Sequence, residues 1–454
     1  MIRLDLPRIQ GFVVRGYRLQ FAGYLFLRID DVARAAAWIA EITEDVLTAT
    51  PWTEKPESGV NVAFSFAGLR VLALPDATLS AFPEEFRQGM AARAQLLGDC
   101  GDSAPGNWEG AWGESSDIHV LVMISAMHRE ALEAHDRRLR ASLERSGGLT
   151  VVGDDRGTAQ PGGVEHFGNV DGFAQPSIEG SGVDPLPGQG AVLKGGGWRP
   201  IRAGEFILGY PDEENTLPGA PPPAELTANG SYLVYRKLHQ NVASFRAQLA
   251  AAAEHFPGGE ELLAAKLVGR WRDGTPLDLS PQQPDPGIVA DPERNNAFRY
   301  REDADGLRCP LGAHVRRANP RDSLPFEGRL VNRHRLIRRG IPYGEPLPHG
   351  APDDGQDRGF IFACLQASIA RQFEFVQSQW LNDGNVLGLG DDRDVLLCPR
   401  EEGLASNKMT VPGSPPFFVA PFSPVVTVKG GEYFFVPGIN GLQFLAAAAG
   451  GGAA

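Results

Sequence analysis

Apolar runs broken by glycine, proline and charge set out this chain as alternating strands and helices. Ala22–Ile29 reads as a buried strand. The alanine-rich stretch from Val32 to about Val46, with Ile39 and Ile42 spaced on one face and Asp30 or Asp31 as its cap, predicts a helix. Val60–Phe66 alternates as a strand does, Phe82–Leu97 predicts a second helical stretch, and Asp117–Ile124 a further buried strand. Glu130–Ser146 is a charged amphipathic helix and Leu149–Val152 a short strand. This order suits an antiparallel sheet with helices on one face, an α+β layer of ferredoxin-like type.

From Asp154 to about Asn229 the pattern dissolves into glycine and proline, as in Pro185–Gly190 and Pro218–Pro223. A structureless connection of this length is usually functional or disordered. The islands Gly168–Pro176 and Gly204–Tyr210 favour an ordered linker that contributes to a site. The first pattern then returns: Gly230–Leu238 as a strand, Val242–Ala253 as a helix, Gly359–Leu365 as a strand and Ala367–Trp380 as a helix. Val425–Val436 predicts a hairpin turning at Gly430-Gly431. The echo lies in element order rather than in residues. It predicts two ferredoxin-like domains, 1–225 and 226–445, each an antiparallel sheet with helices, and a flexible Ala/Gly tail at 446–454.

The chain has 454 residues, 42% of them hydrophobic, enough for a large core and two or three domains. A net charge of -13 disfavours nucleic acid and acidic membranes as general partners. No stretch of 18 or more apolar residues predicts a membrane span. Met1–Arg8 lacks a basic region followed by an apolar run and lacks a twin-arginine pair, so a cytoplasmic location is expected. Cys100, Cys309, Cys364 and Cys398 are far apart, with neither a C-x-x-C nor a C-x-x-C-H pattern, and read as buried, reduced thiols.

The densest chemistry lies in Arg308–Arg321, where His314 follows Gly312 and Ala313 and precedes Arg316, Arg317 and Arg321. Small residues there leave room for something large and flat beside the histidine. Neutral imidazole is a good iron ligand, and arginine presents a planar, five-donor head to carboxylates or phosphates. One histidine with small neighbours and nearby arginines suits the iron-ligating side of a haem pocket. A lone histidine is also often just a hydrogen-bonded structural residue.

Several separate segments resemble those of the dye-decolorizing peroxidases. Gly168-Asn169-Val170-Asp171-Gly172 fits their G-x-x-D-G motif, Cys309–Arg321 their axial-histidine segment, and Arg338–Gly344 the segment carrying their distal arginine. The likeness also takes in 204–213, 229–237, 267–277 and 360–380. The chain's length and its insertions around 180–230 and 280–300 look like the longer bacterial members.

The resemblance implies two ferredoxin-like domains with non-covalent haem b, bound mainly by the second. It implies a peroxidase that uses hydrogen peroxide to oxidise dyes and phenolic or aromatic donors through a ferryl–porphyrin radical. His314 would be the iron ligand, its other ring nitrogen donating to a carboxylate for which Glu374, Asp392 and Asp394 all stand as candidates. Asp171 would be the acid–base group and Arg338 the fixed positive charge, with His166 as a rival base. Phe360 and Phe362 match apolar positions over the distal face, and Arg321, ahead of Arg316, would meet a haem propionate. Trp380 resembles a position where some members carry a surface electron relay; a buried tryptophan anchoring helix to sheet is the reading favoured over it. An oligomer is compatible with the sequence. The alternative to turnover is a haem-binding protein for delivery, storage or sensing, which would have no need of an acid–base pair above the iron.

Overall fold

The computed structural model describes residues 2–112, 117–193, 196–397 and 407–450. Nine strands form one sheet: β1 (Phe21–Ile29), β2 (Ser58–Phe64), β3 (Val120–Ala126), β4 (Leu149–Thr158), β5 (Ser231–Gln240), β6 (Ile337–Arg338), β7 (Ile341–Tyr343), β8 (Gly359–Gln366) and β9 (Val426–Val436). Their order is β4-β1-β3-β2-β9-β5-β8-β6, with β7 also on β8. The first four strands make one antiparallel ferredoxin-like sheet and the last five another. The two are joined edge to edge where Phe435 of β9 lies opposite Phe64 of β2.

The helices follow from apolar stripes and caps. Helix α1 (Val32–Thr43) starts where the Asp31 side chain accepts a hydrogen bond from the Arg34 N–H at 3.0 Å. Asp30 instead meets Arg28 and Thr150. Trp38 and Ile39 of α1, with Leu139 and Leu143 of α2 (Arg129–Ser146), pack on Leu25, Leu27, Val62 and Val122. The opposite face of the sheet, carrying Tyr24, Phe26, Leu233 and Tyr235, is covered by Ile9, Phe12 and Val13 and by Ile201, Phe206 and Ile207. The glycine- and proline-rich linker is thus a working part of the core. A third cluster joins α3 (Val242–Ala253) and α4 (Gly259–Val268) to a hairpin of Asn407–Val411 and Phe417–Phe422.

Four expectations change. The 82–97 stretch is three short helical pieces, interrupted at Gly89, where φ is +75°. Val426–Val436 is one continuous strand with a bulge between Val428 and Gly430. Neither Gly430 nor Gly431 has the positive φ that a two-residue hairpin needs. They are small because a Cβ at Gly430 would lie 2.2 Å from Cδ1 of Trp112, and one at Gly431 2.6 Å from Sδ of Met90. The alanine-rich end is helical as far as Gly450, in α6 (Ile439–Gly450), with Leu442, Leu445, Ala446 and Ala449 against the core. Residues 451–454 of the expected tail, and Cys398, lie outside the described residues. Cys309 and Cys364 are buried free thiols, but Cys100 is only half-buried. Among the described residues, no helix is long and apolar enough to cross a membrane.

Candidate active site

A cavity of about 320 Å³ lies between the β5–β8–β9 face of the sheet and the α3–α4 cluster. His314 opens the five-residue helix α5 (His314–Ala318) on one wall. Its Nδ1 lies 2.8 Å from Oδ2 of Asp394, and no described residue meets its Nε2. The other oxygen of Asp394 accepts from the backbone N–H groups of Leu396 and Leu397, so the carboxylate is fixed on both sides. Burial pushes the Asp394 carboxyl up, yet the imidazole and these donors outweigh it and hold it below the ordinary range. Burial lowers the imidazole's basicity, and Asp394 more than restores it. This selects among three candidate carboxylates: Glu374 is engaged by Arg93 and Tyr433, and Asp392 by the Thr410 N–H and Lys408.

The small residues around His314 serve packing rather than open space. A Cβ at Gly312 would sit 3.0 Å from Cγ of Met409, and one at Gly269 (φ +99°) 2.4 Å from Cγ2 of Val315. The two nearest arginines are structural. Arg316 donates to the carbonyls of Cys309 and Asp303 and pairs with the Asp303 carboxylate, wholly buried. Arg317 donates to carbonyl oxygens of Trp380, Asp383 and Asp392, pinning α5.

Asp171 and Arg338 also line the cavity. Gly168 and Gly172, at φ of +98° and +101°, turn the loop on either side of Asp171, as glycine permits. Both carboxylate oxygens lie within reach of Nη1 of Arg338, at 3.0 and 2.9 Å. Burial pushes the Asp171 carboxyl up; Arg338, the Gly172 N–H and the more distant His314 together hold it below the ordinary range. Phe360 and Phe362 project from β8 into the same cavity. His166, the rival base, is not among the lining residues; its Nε2 meets the Tyr343 carbonyl at 2.7 Å.

Arg321 lines the cavity together with Arg270 and Arg335, which sequence reasoning missed. Arg321 and Arg270 donate to amide and backbone carbonyl oxygens, while Arg335 has, among the described residues, two carbonyls at 3.5 Å. No described carboxylate pairs with any of the three. Burial, with Arg321 and Arg338 nearby, pushes the Arg335 guanidinium down to about 9, and burial with Arg321 brings Arg270 to about 10. The cluster of cations at Arg333, Arg335, Arg338 and Arg339 was the available signal for Arg335. Trp380 is 4% exposed and lies edge-on to Phe375 and His334, with ring centroids 5.5 and 5.1 Å away. It does not reach the surface, so the geometry is that of a core anchor.

The site fits haem: an imidazole nitrogen that no described residue meets on one wall, a carboxylate–guanidinium pair, and arginines that no described carboxylate neutralises, free to meet two carboxylates. Comparison with known proteins decides the family. A model described as the DyP dimeric alpha+beta barrel domain matches residues 8–159, and one described as the C-terminal domain of Dyp-type peroxidases matches residues 212–389. A dye-decolorizing peroxidase of Mycena epipterygia is 31% identical over 98% of this chain and 88% of its own length. The chain belongs to the dye-decolorizing peroxidase family. The multifunctional dye peroxidase of an Amycolatopsis species is 31% identical over 97% of this chain and 96% of its own, so long members similar to this one are fungal as well as bacterial. Among solved structures, an ancestral D-type dye-decolorizing peroxidase superposes with a TM-score of 0.84 at 31% identity, covering 97% of this chain and 99% of that one. A family member in complex with 2,6-dimethoxyphenol gives 0.82 at 29% identity, covering 98% and 100%.

Proposed function

We propose that this haem-dependent peroxidase of dye-decolorizing type holds haem b non-covalently in the cavity, with Nε2 of His314 on the iron. Arg321, Arg335 and Arg270 are placed to meet the propionates. Bound haem supplies the two-electron reduction of hydrogen peroxide and the later one-electron oxidation of dyes and phenolic donors. The chain's own residues do the rest. Asp394 fixes the imidazole tautomer by holding the Nδ1 proton, which leaves Nε2 as the electron donor. Asp171, ionised, takes the proton from one peroxide oxygen and returns it to the other, so that water leaves. Arg338 keeps Asp171 ionised and stabilises charge on the separating oxygens. Phe360 and Phe362 keep that face of the cavity apolar.

The observation that carries this reading is the Asp171–Arg338 pair facing the same cavity as His314. A haem carrier needs no such pair. The test is stopped-flow mixing with hydrogen peroxide. Asp171→Asn and Arg338→Leu keep haem and each slows the peroxide step, by about 10²–10⁴-fold for the base and about 10²–10³-fold for the charge. Wild-type rates in both variants would refute the reading.

A further inference from the structure

Arg338 sits on β6, a strand of two residues at the outer edge of the sheet. Arg338 is opposite Cys364 of β8, and the neighbouring Arg339 N–H donates to the Ala363 carbonyl at 2.7 Å. In an antiparallel ladder, bonded and non-bonded pairs alternate. The Arg338 N–H and C=O therefore point away from β8, where a further strand would lie and, among the described residues, none does. Two side chains take that strand's place. The amide oxygen of Gln175 accepts the Arg338 N–H at 3.0 Å, and Nη1 of Arg339 donates to the Arg338 carbonyl at 3.0 Å.

Gln175 is four residues beyond Asp171 on the same loop. The loop thus grips Arg338 twice: through the Asp171 carboxylate on the guanidinium and through the Gln175 amide on the backbone. Between the two, Phe173 seats the loop, its ring under the Arg270 guanidinium at 4.8 Å and against Gly274, where a Cβ would lie 2.3 Å from the ring. A carboxylate and a guanidinium on separate elements keep their register only if the elements are tied, and an error of about 1 Å in such a pair costs about 10²-fold in rate.

We propose that Gln175 is a positioning residue for peroxide cleavage, acting as a surrogate strand that locks the Asp171 loop to the Arg338 edge. The inference rests on the roles given above to Asp171 and Arg338. The acceptor matters and the amide NH₂ does not: no described group accepts from it. The charged groups acting on Asp171 are Arg338 and, further off, His314 and Arg270. Loosening the lock weakens the first of these.

The test uses holoenzyme carrying Gln175→Met, similar in size but without the acceptor, and Gln175→Glu, which keeps it. Three readouts are taken: the peroxide rate constant, the acid limb of its pH profile, and the equilibrium affinity of the ferric protein for cyanide. Gln175→Met should lower the rate about 10- to 100-fold, move the acid limb to higher pH and weaken cyanide at least threefold. Gln175→Glu should stay within about threefold of wild type in rate above the limb. Wild-type behaviour of Gln175→Met in all three overturns the proposal, as does an equal loss in both variants. If Gln175→Met does not retain haem, Gln175→Glu decides alone: a loss beyond 10-fold overturns it. If Asp171→Asn and Arg338→Leu react at wild-type rates, the reading of the distal pair has failed instead.

Discussion

Asp171 faces the cavity with its side chain 45% exposed to that space, and it stays ionised because Arg338, the Gly172 N–H and the more distant His314 together outweigh the desolvation by the surrounding walls. That balance gives the pH dependence its sign. With Asp171 as the proposed base, the peroxide step requires the carboxylate, so its rate should fall as pH drops through the Asp171 pKa, which lies below the ordinary carboxylate range. The enzyme therefore keeps its rate in mild acid. In Arg338→Leu the burial cost remains and the main compensating charge is gone, leaving the Gly172 N–H and His314, so the acid limb moves to higher pH, above that of wild type. A pH series of single-turnover rates measures both limbs; coincident limbs would show that Arg338 does not set the ionisation of Asp171. On the other wall, His314→Ala removes the ring nitrogen proposed to hold iron, and the Soret band and haem content of the purified variant should both fall.

Much of this was legible at the level of elements, and the failures share a cause. The amphipathic stripes that became α1 and α2 announce themselves locally, because the apolar face of each is written in its own residues. Gly430 and Gly431 do not: their reason is the Trp112 ring and the Met90 sulfur, both more than 300 residues away in the chain. The alanine-rich end looked like a tail because its partner, α1, is also distant. Within the candidate site, the segments carrying His314, Asp171 and Arg338 pointed to three residues that the fold brings to one cavity, whereas Asp394 could be chosen over Glu374 and Asp392 only once the chain was folded. Trp380 belongs to the same lesson. It lies near the end of a stretch of helix with π-type turns, Val376–Leu381, and is held between Phe375, His334 and the α5 anchor Arg317. Trp380→Phe should cost about 1–2 kcal/mol in denaturant unfolding and lower the rates for a bulky anthraquinone dye and a small phenol to the same degree. A loss confined to the dye, with stability unchanged, would instead restore the electron-relay role.

At the scale of the molecule, the two ferredoxin-like sheets share one hydrophobic cluster that runs from Leu25 and Val62 through Tyr232 and Phe435. The segment of the first half around Leu97, Asp99 and Ser103 also reaches the cavity carried by the second. Cooperative unfolding of both halves follows, so far-ultraviolet circular dichroism and tryptophan fluorescence should report a single coincident transition. Two separated midpoints would show that the halves are independent.

The edge-to-edge junction at Phe64 and Phe435 has one more consequence. Each half, made alone, would present a bare strand whose complement exists only on the other. Backbone groups at such an edge seek any partner available. A polypeptide cut within the linker would therefore yield two sticky fragments, insoluble apart, that reassemble into a functioning whole when produced together.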